Sequence, residues 1–382
     1  MIGSLFSVCC LGFVVGLERL TLNDERQTDK KMNRRDFVRT TVASIALAPL
    51  QIGINPVDRV SMGVSIASYA RRWRSEVGSS EYPGFMDAIQ VLRHCHAIGA
   101  NGVQIGVGGW TSDFAGQVRD VREELGLYLE GQIRLPWEEG DLPKFEKEIS
   151  QAQEAGATVL RAVCLSGRRY ETFETLEAFA EFKAASMAAI QRAEPILKNH
   201  QVKLGIENHK DWRIDELVAI MHHFDSEWIG VTLDTGNNMS LLEDPMEVVH
   251  ALAPYTVTTH FKDMSVKEYE EGFLLSEVPL GEGVLDLMEV IDTCKKHNPQ
   301  VTLNLEMITR DPLRIPCKMD RYWETFDSVN GRDLARTLRM VESVGPDQVL
   351  PSVSDKTEEE RLAFEEENVL KSFQYAREEL GL

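Results

Sequence analysis

The sequence predicts an α/β fold, a single (β/α)8 barrel with a C-terminal helical extension, and three observations lead to that prediction. Short runs rich in β-branched apolar residues alternate with segments of helical period after residue 60, as in βα units that form a parallel sheet. Eight such runs can be counted, and eight consecutive βα units close most economically into a barrel. The glycine cluster GVGG at 106–109 lacks the GxGxxG spacing expected of the alternative, a doubly wound nucleotide-binding sheet. The eight runs are 62–67, 102–107, 128–134, 158–165, 202–207, 228–234, 256–262 and 301–307.

Helical segments separate the runs and follow the last one. In 85–98, Phe85, Ile89 and Leu92 have the i, i+4, i+7 spacing of one buried helix face. After the eighth run, 322–344 is compatible with a helix and Gly345-Pro346 predicts a turn. The acidic tail, with EEE at 358–360 and again at 365–367, predicts a solvated helix packed outside the barrel, and an acidic partner-binding arm is the alternative.

Residues 1–57 are predicted to be an N-terminal targeting region. Met32 opens the pattern NRRDFV at 33–38 before an apolar stretch at 42–50, and paired arginines in this position are typical of a bacterial twin-arginine export signal. We therefore expect translation to start at Met32, cleavage between residues 46 and 57, and an exported, periplasmic protein with no stable membrane span. A cytoplasmic location is the alternative if the signal does not function. The barrel is then expected at 58–310 and the extension at 311–382.

Charge and cysteine content exclude two classes of protein. Subtracting 61 acidic from 41 basic residues gives a net charge of −20, which repels a phosphate backbone, so we expect no nucleic-acid partner. The six cysteines show no CxxC pair, so neither a disulfide scaffold nor a thiolate zinc site is expected. We expect free thiols, with one bridge as the alternative in an exported chain.

Four successive runs end on side chains that can bind a metal. Runs five to eight close on Glu207, Asp234, His260 and Glu306, and active sites of barrels lie at the carboxyl ends of the strands. Three buried carboxylates at one barrel mouth would repel each other and lose hydration, unless a cation compensates them. The sequence therefore predicts one divalent ion on a mainly oxygen ligand set, with manganese, magnesium, cobalt and zinc all compatible.

The segments around these strand ends carry a resemblance to a known family. They are IENH at 206–209, LDTGN at 233–237, HFKD at 260–263, PLGEG at 279–283 and LE at 305–306. Together they resemble the xylose isomerase-like TIM-barrel superfamily, which includes the sugar phosphate isomerases and epimerases, over roughly residues 60–310. The resemblance implies that Glu207, Asp234, His260 and Glu306 bind the metal, and that Glu207 and Glu306 also form the acid/base pair.

Further positions near the strand ends are candidate substrate contacts. They are His209, Lys262, Asn237 and Arg168. His209 could hydrogen-bond a substrate hydroxyl or orient Glu207, and Lys262 could stabilise oxyanion charge or pair with Asp234 or Asp263. Asn237 stands where some sugar epimerases of the family have a histidine, so the resemblance does not assign the sugar. Arg168 lies in a loop after the fourth run, where a solvated role is the alternative. For Glu130, on the third run, a structural role is favoured over a place in a sugar pocket.

These features predict a divalent-metal-dependent sugar isomerase or epimerase. One carboxylate would remove a proton from the carbon next to a carbonyl, giving an enediolate, and the other would return it. One alternative is a lyase or hydratase acting on 3-keto-glycosides at the same metal site. The non-enzymatic alternative is a degenerate barrel subunit that binds a sugar or a metal. The expected partners are a small-molecule sugar substrate and further copies of the chain in a homo-oligomer.

Overall fold

The computed structural model describes residues 59–382, and the predicted export signal and start site lie outside these residues. The strands are β1 (Gly63–Ser65), β2 (Gly102–Gly106), β3 (Tyr128–Gln132), β4 (Val159–Ala162), β5 (Lys203–Glu207), β6 (Ile229–Asp234), β7 (Thr256–Phe261), β8 (Asp263–Tyr269), β9 (Gly272–Val278), β10 (Thr302–Leu305) and β11 (Leu313–Ile315). The α-helices are α1 (Ala88–Ala97), α2 (Ser112–Leu125), α3 (Leu142–Glu154), α4 (Arg169–Thr172), α5 (Leu176–His200), α6 (Ile214–Phe224), α7 (Pro245–Leu252), α8 (Leu287–His297), α9 (Gly331–Val344) and α10 (Glu358–Glu378).

Eight parallel strands close into a barrel in the order β1-β10-β7-β6-β5-β4-β3-β2. Each barrel strand lies inside one of the eight predicted runs, so the predicted (β/α)8 barrel is confirmed. The connecting helices pack around the barrel through apolar faces such as Phe145, Ile149 and Ala152 of α3. The strand ends that carry the candidate ligands therefore meet at one mouth.

The first predicted helix starts too early. We expected a helix over 85–98, but α1 begins at Ala88 because the Asp87 side chain caps it, accepting a hydrogen bond from the backbone N–H of Gln90 at 2.9 Å. Phe85 is nevertheless buried, and the guanidinium carbon of Arg72 lies 4.0 Å from the centre of the Phe85 ring. The apolar spacing thus identified a buried face but not the helix boundary.

A β-hairpin between β7 and α8 was not predicted. Strands β8 and β9 pair antiparallel, and β11 adds to β9 to complete a three-stranded sheet beside the barrel. Alternating apolar residues of this sheet, including Val266, Phe273 and Leu275, form a second core. Because β11 lies in the predicted extension, that extension is not helical throughout.

The C-terminal helices differ from expectation in their bounds and burial. The predicted 322–344 helix begins only at Gly331, where the side chain of Asn330 caps α9. The tail helix α10 is present, but it is solvated on one face only, because Leu362, Val369 and Phe373 are buried. The helix therefore packs as part of the folded body.

The structure also bears on the cysteines and on membrane-spanning helices within the described residues. Cys95, Cys164, Cys294 and Cys317 are free and buried, as expected. Within residues 59–382, no helix combines the length and the apolar character needed to cross a bilayer.

Candidate metal centre

Three carboxylates and one imidazole meet at the mouth of the barrel. Glu207 ends β5, Asp234 ends β6, His260 lies next to the end of β7 and Glu306 follows β10 directly. All four side chains are buried, and one potential ligand atom from each lies within 4.8 Å of the other three. The structure thus brings together the four residues that the sequence singled out, while their role as ligands stays a prediction.

Strand register and one asparagine place these residues at the same height along the barrel axis. Asp234 of β6 is aligned with His260 of β7, and His260 is aligned with Asn304 of β10. Asn208 follows Glu207 and ties the ends of β5 and β6 together. Its amide donates to the Asp234 carbonyl at 2.8 Å, and its side-chain oxygen accepts from the Asp234 N–H at 2.8 Å. The IENH segment therefore serves to align neighbouring strand ends.

The His260 ring is oriented by a glutamine behind it. Its Nε2 lies 2.6 Å from Oε1 of Gln104, whose own amide Nε2 donates to Glu130 at 3.0 Å. Because Gln104 presents an acceptor, the proton of the neutral ring is on Nε2, and Nδ1 is left with a lone pair. This Nδ1 faces Glu306 at 3.0 Å, Glu207 at 3.4 Å and Asp234 at 3.9 Å.

The two oxygens of Asp234 have different environments. Oδ1 accepts from the backbone N–H groups of Gly236 at 2.9 Å and Asn237 at 2.8 Å, which fixes the carboxylate. Oδ2 is buried and makes no well-oriented hydrogen bond within residues 59–382, although the Lys262 ammonium lies 2.7 Å away. Burial raises the pKa of Asp234 to about 6 despite that ammonium. Oδ2 lies 3.9 Å from His260 Nδ1, within the four-residue group.

Three basic side chains hold the glutamates ionised. Burial by itself raises the pKa of Glu207, but Arg161 on β4, which ion-pairs with it, and His260 hold that pKa well below its usual range. Burial likewise opposes ionisation of Glu306, yet His260 and the Lys262 ammonium, 2.6 Å away, lower its pKa strongly. Arg161 was not predicted, although a charged residue inside the apolar run VLRA was a signal for it.

These residues fit a divalent cation. Asp234 Oδ2 and His260 Nδ1 are buried atoms that lack a hydrogen-bond partner in the described part of the chain, and such atoms are rare unless a ligand satisfies them. Although burial disfavours the charged ring, the negative charge of Glu306 and Glu207 raises the pKa of His260 to about 9. The group thus attracts positive charge, and its oxygen-rich set with one imidazole suits magnesium, manganese, cobalt or zinc.

The predicted substrate contacts fall into two sets. Asn237 lies in the centre, where it donates to Glu207 at 3.2 Å and accepts from Lys262 at 3.3 Å. His209 lies half-buried beside it, with Nδ1 2.9 Å from the Leu165 carbonyl, and burial lowers its pKa to about 3, so the ring is neutral.

Arg168 does not reach the centre. Its guanidinium instead pairs with Glu171 at 2.6 Å, because the two residues are three apart on a short helical turn. This pairing fits the solvated-loop alternative, and a substrate contact by Arg168 stays a prediction.

Two residues near the metal centre were not predicted from the sequence. Lys210 is buried and donates to the side-chain oxygen of Asn237. Glu277 comes from the unpredicted hairpin, pairs with Arg310 and lies 3.9 Å from Lys262. Glu277 could have been found only by recognising β9, on which it shares one face with the apolar residues Phe273 and Leu275.

Known proteins share this fold. A xylose isomerase-like TIM barrel protein from Mycobacterium smegmatis, solved in complex with magnesium, is 15% identical with a TM-score of 0.51, over 75% of this chain and 99% of that one. D-psicose 3-epimerase, solved in the presence of D-fructose, is 14% identical with a TM-score of 0.50, over 74% and 97%. At such identities these likenesses establish the fold alone. Among curated proteins, 3-oxo-isoapionate decarboxylase of Pectobacterium atrosepticum is 23% identical over 252 residues, 64% of this chain and 85% of that protein.

A match to a family profile shows which family the chain belongs to. Residues 92–323, more than half of the chain, match the family described as xylose isomerase-like TIM barrel. The match spans α1 to the segment after β11, and it contains all four residues of the candidate metal centre. The chain belongs to the xylose isomerase-like TIM barrel family.

Proposed function

We propose that this chain is a divalent-metal-dependent isomerase or epimerase of a sugar or sugar derivative. One observation carries the proposal: Glu207 and Glu306 lie at the two ends of an arc of four adjacent strands, with Asp234 and His260 between them. Two carboxylates placed on either side of a bound substrate can remove a proton from one face of a carbon and deliver a proton to another position.

The two glutamates are suited to proton transfer. Both have pKa values well below their usual range, because Arg161, His260 and Lys262 outweigh the effect of burial, so each is ionised and can accept a proton. A divalent ion held by the four residues would polarise the substrate carbonyl and favour loss of the proton on the neighbouring carbon. One glutamate would take that proton, leaving an enediolate, and the other, after taking up a proton from water, would deliver it to the intermediate.

The surrounding side chains would orient the acid/base pair. Lys262 spans Asp234 and Glu306 with contacts of 2.7 and 2.6 Å, and it would add positive charge where the carbonyl oxygen becomes negative. Asn237 donates a hydrogen bond to the Glu207 oxygen that does not accept from Arg161. Because the whole group is buried, these interactions act in a site from which bulk water is largely excluded.

A second candidate is a lyase that begins with the same proton abstraction. After that step a substituent on the adjacent carbon would leave, as in cleavage of a 3-keto-glycoside. The similarity to a curated decarboxylase, itself a lyase-type enzyme, favours keeping this candidate. The two functions differ in whether the carbon skeleton and its substituents are retained.

Hydrogen exchange in deuterated water tests the step that both candidates share. The chain loaded with manganese or magnesium is incubated with free sugars, sugar phosphates, sugar acids and 3-keto-glycosides, and deuterium uptake at carbon is followed by mass spectrometry. We expect metal-dependent uptake that falls by about 10² to 10⁴ in Glu306→Gln. The matched control Glu282→Gln, which changes an exposed glutamate of the glycine loop, should keep it.

The products then separate the two functions. An isomer or epimer supports the first, and loss of a substituent or of carbon dioxide supports the second. Absence of exchange with every substrate, in a chain that holds one metal ion per molecule, would contradict both and favour a binding subunit.

A further inference from the structure

A buried lysine beside the metal centre lacks a negative partner. Lys210 lies in the loop after β5, three residues beyond Glu207, and only 4% of it is exposed. Its ammonium donates to the side-chain oxygen of Asn237, which is neutral. Within residues 59–382, no carboxylate oxygen lies within 4 Å of this ammonium, whereas Lys262 contacts both Asp234 and Glu306. Burying an ammonium without a counter-charge costs free energy.

Neighbouring cations add to this excess of positive charge. The same Asn237 oxygen that accepts from Lys210 also accepts from Lys262 at 3.3 Å, so two ammonium groups share one acceptor. Burial, and then repulsion by Lys262 and Arg310, lowers the pKa of Lys210 to about 8. The negative charges of Asp234 and Glu277 oppose this fall, but these carboxylates pair with Lys262 and Arg310.

The backbone also holds Lys210 in place at some cost. Its φ angle is 67°, in the left-handed region that side chains other than glycine avoid. Such strained positions concentrate at functional sites. The Asn237 amide links Lys210 to Glu207, so this ammonium stands one side chain away from the proposed acid/base pair. Half-buried His209 and the Arg310 side chain, 29% exposed, lie around it at the mouth.

We infer that Lys210 binds a carboxylate of the substrate, which makes the substrate a sugar acid or an oxo acid rather than a neutral sugar. This inference rests on the proposed function, because it assumes that the substrate reacts at the centre formed by Glu207, Asp234, His260 and Glu306. A substrate carboxylate would supply the negative charge that the ligand-free chain does not provide. It would also anchor the molecule at the end remote from the reacting carbon.

The glycine loop argues for a carboxylate and against a phosphate. Loops of the type PLGEG can bind phosphate through their backbone N–H groups. Here the N–H groups of Gly281, Gly283 and Leu285 donate to the Asp263 carboxylate at 3.0, 2.9 and 3.2 Å. A Cβ on Gly283 would lie 2.1 Å from an Asp263 oxygen, so the glycine permits this approach. These amides are therefore occupied, so the loop does not offer the backbone donors that would bind a phosphate.

Calorimetric titration of the metal-loaded chain tests the inference with pairs of unreactive probes. Each pair consists of a five- or six-carbon aldonate and the alditol with the same skeleton, for example gluconate and glucitol, and glucitol 6-phosphate is the phosphate arm. We expect the preferred aldonate to bind at least tenfold more tightly than its alditol. Lys210→Met should remove that preference and leave alditol binding unchanged. Lys144→Met, which removes a largely exposed lysine, should alter neither.

Thermal unfolding of the ligand-free variants provides a readout independent of binding. Because Lys210 is an uncompensated buried charge, Lys210→Met should raise the unfolding midpoint by a few degrees, whereas removal of a merely structural lysine would lower it. Equal binding of aldonates and alditols, tighter binding of the sugar phosphate, or a lowered midpoint in Lys210→Met would overturn the inference. If aldonates bind through Lys210 but no carbon-bound hydrogen exchanges, the proposed function fails while the carboxylate site stands. If exchange occurs with neutral sugars only, the proposed function stands and this inference fails.

Discussion

Two groups of buried polar residues occupy the barrel, and they satisfy their carboxylates in opposite ways. The interior group consists of Glu130 and the side chains around it, Gln104, Thr258, Thr302 and Asn304. Glu130 accepts from Thr258 at 2.6 Å, Asn304 at 2.9 Å and Gln104 at 3.0 Å, and its other oxygen accepts from Thr302. The mouth group consists of Glu207, Asp234, His260 and Glu306, and two of its buried atoms have no hydrogen-bond partner within residues 59–382.

The difference in hydrogen-bond partners distinguishes a structural carboxylate from a carboxylate suited to binding a ligand. Neutral donors surround Glu130, so it needs nothing further, and its pKa is raised by burial although those donors oppose the rise. The mouth group instead draws on charges from Arg161 and Lys262, and Asp234 Oδ2 and His260 Nδ1 make close charged contacts but no well-oriented hydrogen bond within residues 59–382. Gln104 contacts both groups and thereby transmits the rigidity of the interior group to the imidazole.

The largest expected effect on stability belongs to the interior group. Glu130→Gln removes the charge and replaces one accepting oxygen by an amide donor, which then faces the hydroxyl of Thr302 or, if the amide is flipped, the donors of Gln104, Thr258 and Asn304. The variant should therefore lower the free energy of unfolding by about 2–4 kcal/mol. Denaturant unfolding measures this change. The variant should still gain the same stability from added metal as the unmodified chain. A change below about 0.5 kcal/mol would show that the interior network is not structural.

Asp234→Asn should remove the stability that the chain gains when a metal binds to the mouth group. Binding of a metal at 100 times its Kd stabilises a folded chain by about 2.7 kcal/mol, and this gain should vanish in the variant because an amide replaces an anionic ligand. Thermal unfolding with and without manganese, each against a chelator control, measures the gain. An undiminished gain in Asp234→Asn would place the metal elsewhere.

Gln104→Leu tests the link between the two groups. Without the acceptor at 2.6 Å the His260 ring loses the contact that sets its tautomer and orientation, so metal affinity should fall about 10- to 100-fold. Titration with manganese measures the affinity. Gln151→Leu, at a buried glutamine on α3 outside both groups, is the matched control and should leave the affinity unchanged. Equal effects of the two substitutions would indicate a general loss of packing.

Much of this comparison was accessible from the sequence. The eight apolar runs predicted the barrel strands, and the rule that strand ends carry active sites selected Glu207, Asp234, His260 and Glu306, since both depend on local pattern. For the interior group, a structural role was favoured for Glu130, but its partners were not recognised. Threonines and asparagines inside strands give no signal until closure of the barrel brings β3, β7 and β10 together. Lys210 and Glu277 escaped for the same reason, since their importance depends on partners far away along the chain.

A buried carboxylate outside both groups provides the smallest test. Glu365 on α10 accepts from the Arg71 N–H at 2.9 Å, and its other oxygen is buried without a partner in the described residues. Among those residues it belongs to no group of three or more side chains that could hold a metal. Burial raises its pKa from 4.5 to about 7, so the folded chain binds more protons than the unfolded chain between these values. Its contribution to stability is therefore complete below pH 4.5 and is lost as the pH rises through about 7.

Glu365→Gln should remove this pH dependence. At pH 8 the variant should be more stable than the unmodified chain by about 1 kcal/mol, and the difference should disappear or reverse at pH 5. Unfolding in denaturant at the two pH values measures it. Glu367→Gln, at an exposed neighbour, should leave the slope unaltered. A pH-independent difference would mean that Glu365 is ionised and satisfied in the folded chain.

The central claim is that the mouth group binds one divalent ion. Anomalous diffraction at the manganese edge, from crystals grown with manganese, tests it most directly. We predict one peak per chain, about 2.0–2.6 Å from His260 Nδ1 and from an oxygen each of Glu207, Asp234 and Glu306. A strong peak elsewhere, or none at the mouth while Lys262 still bridges Asp234 and Glu306, would contradict the claim.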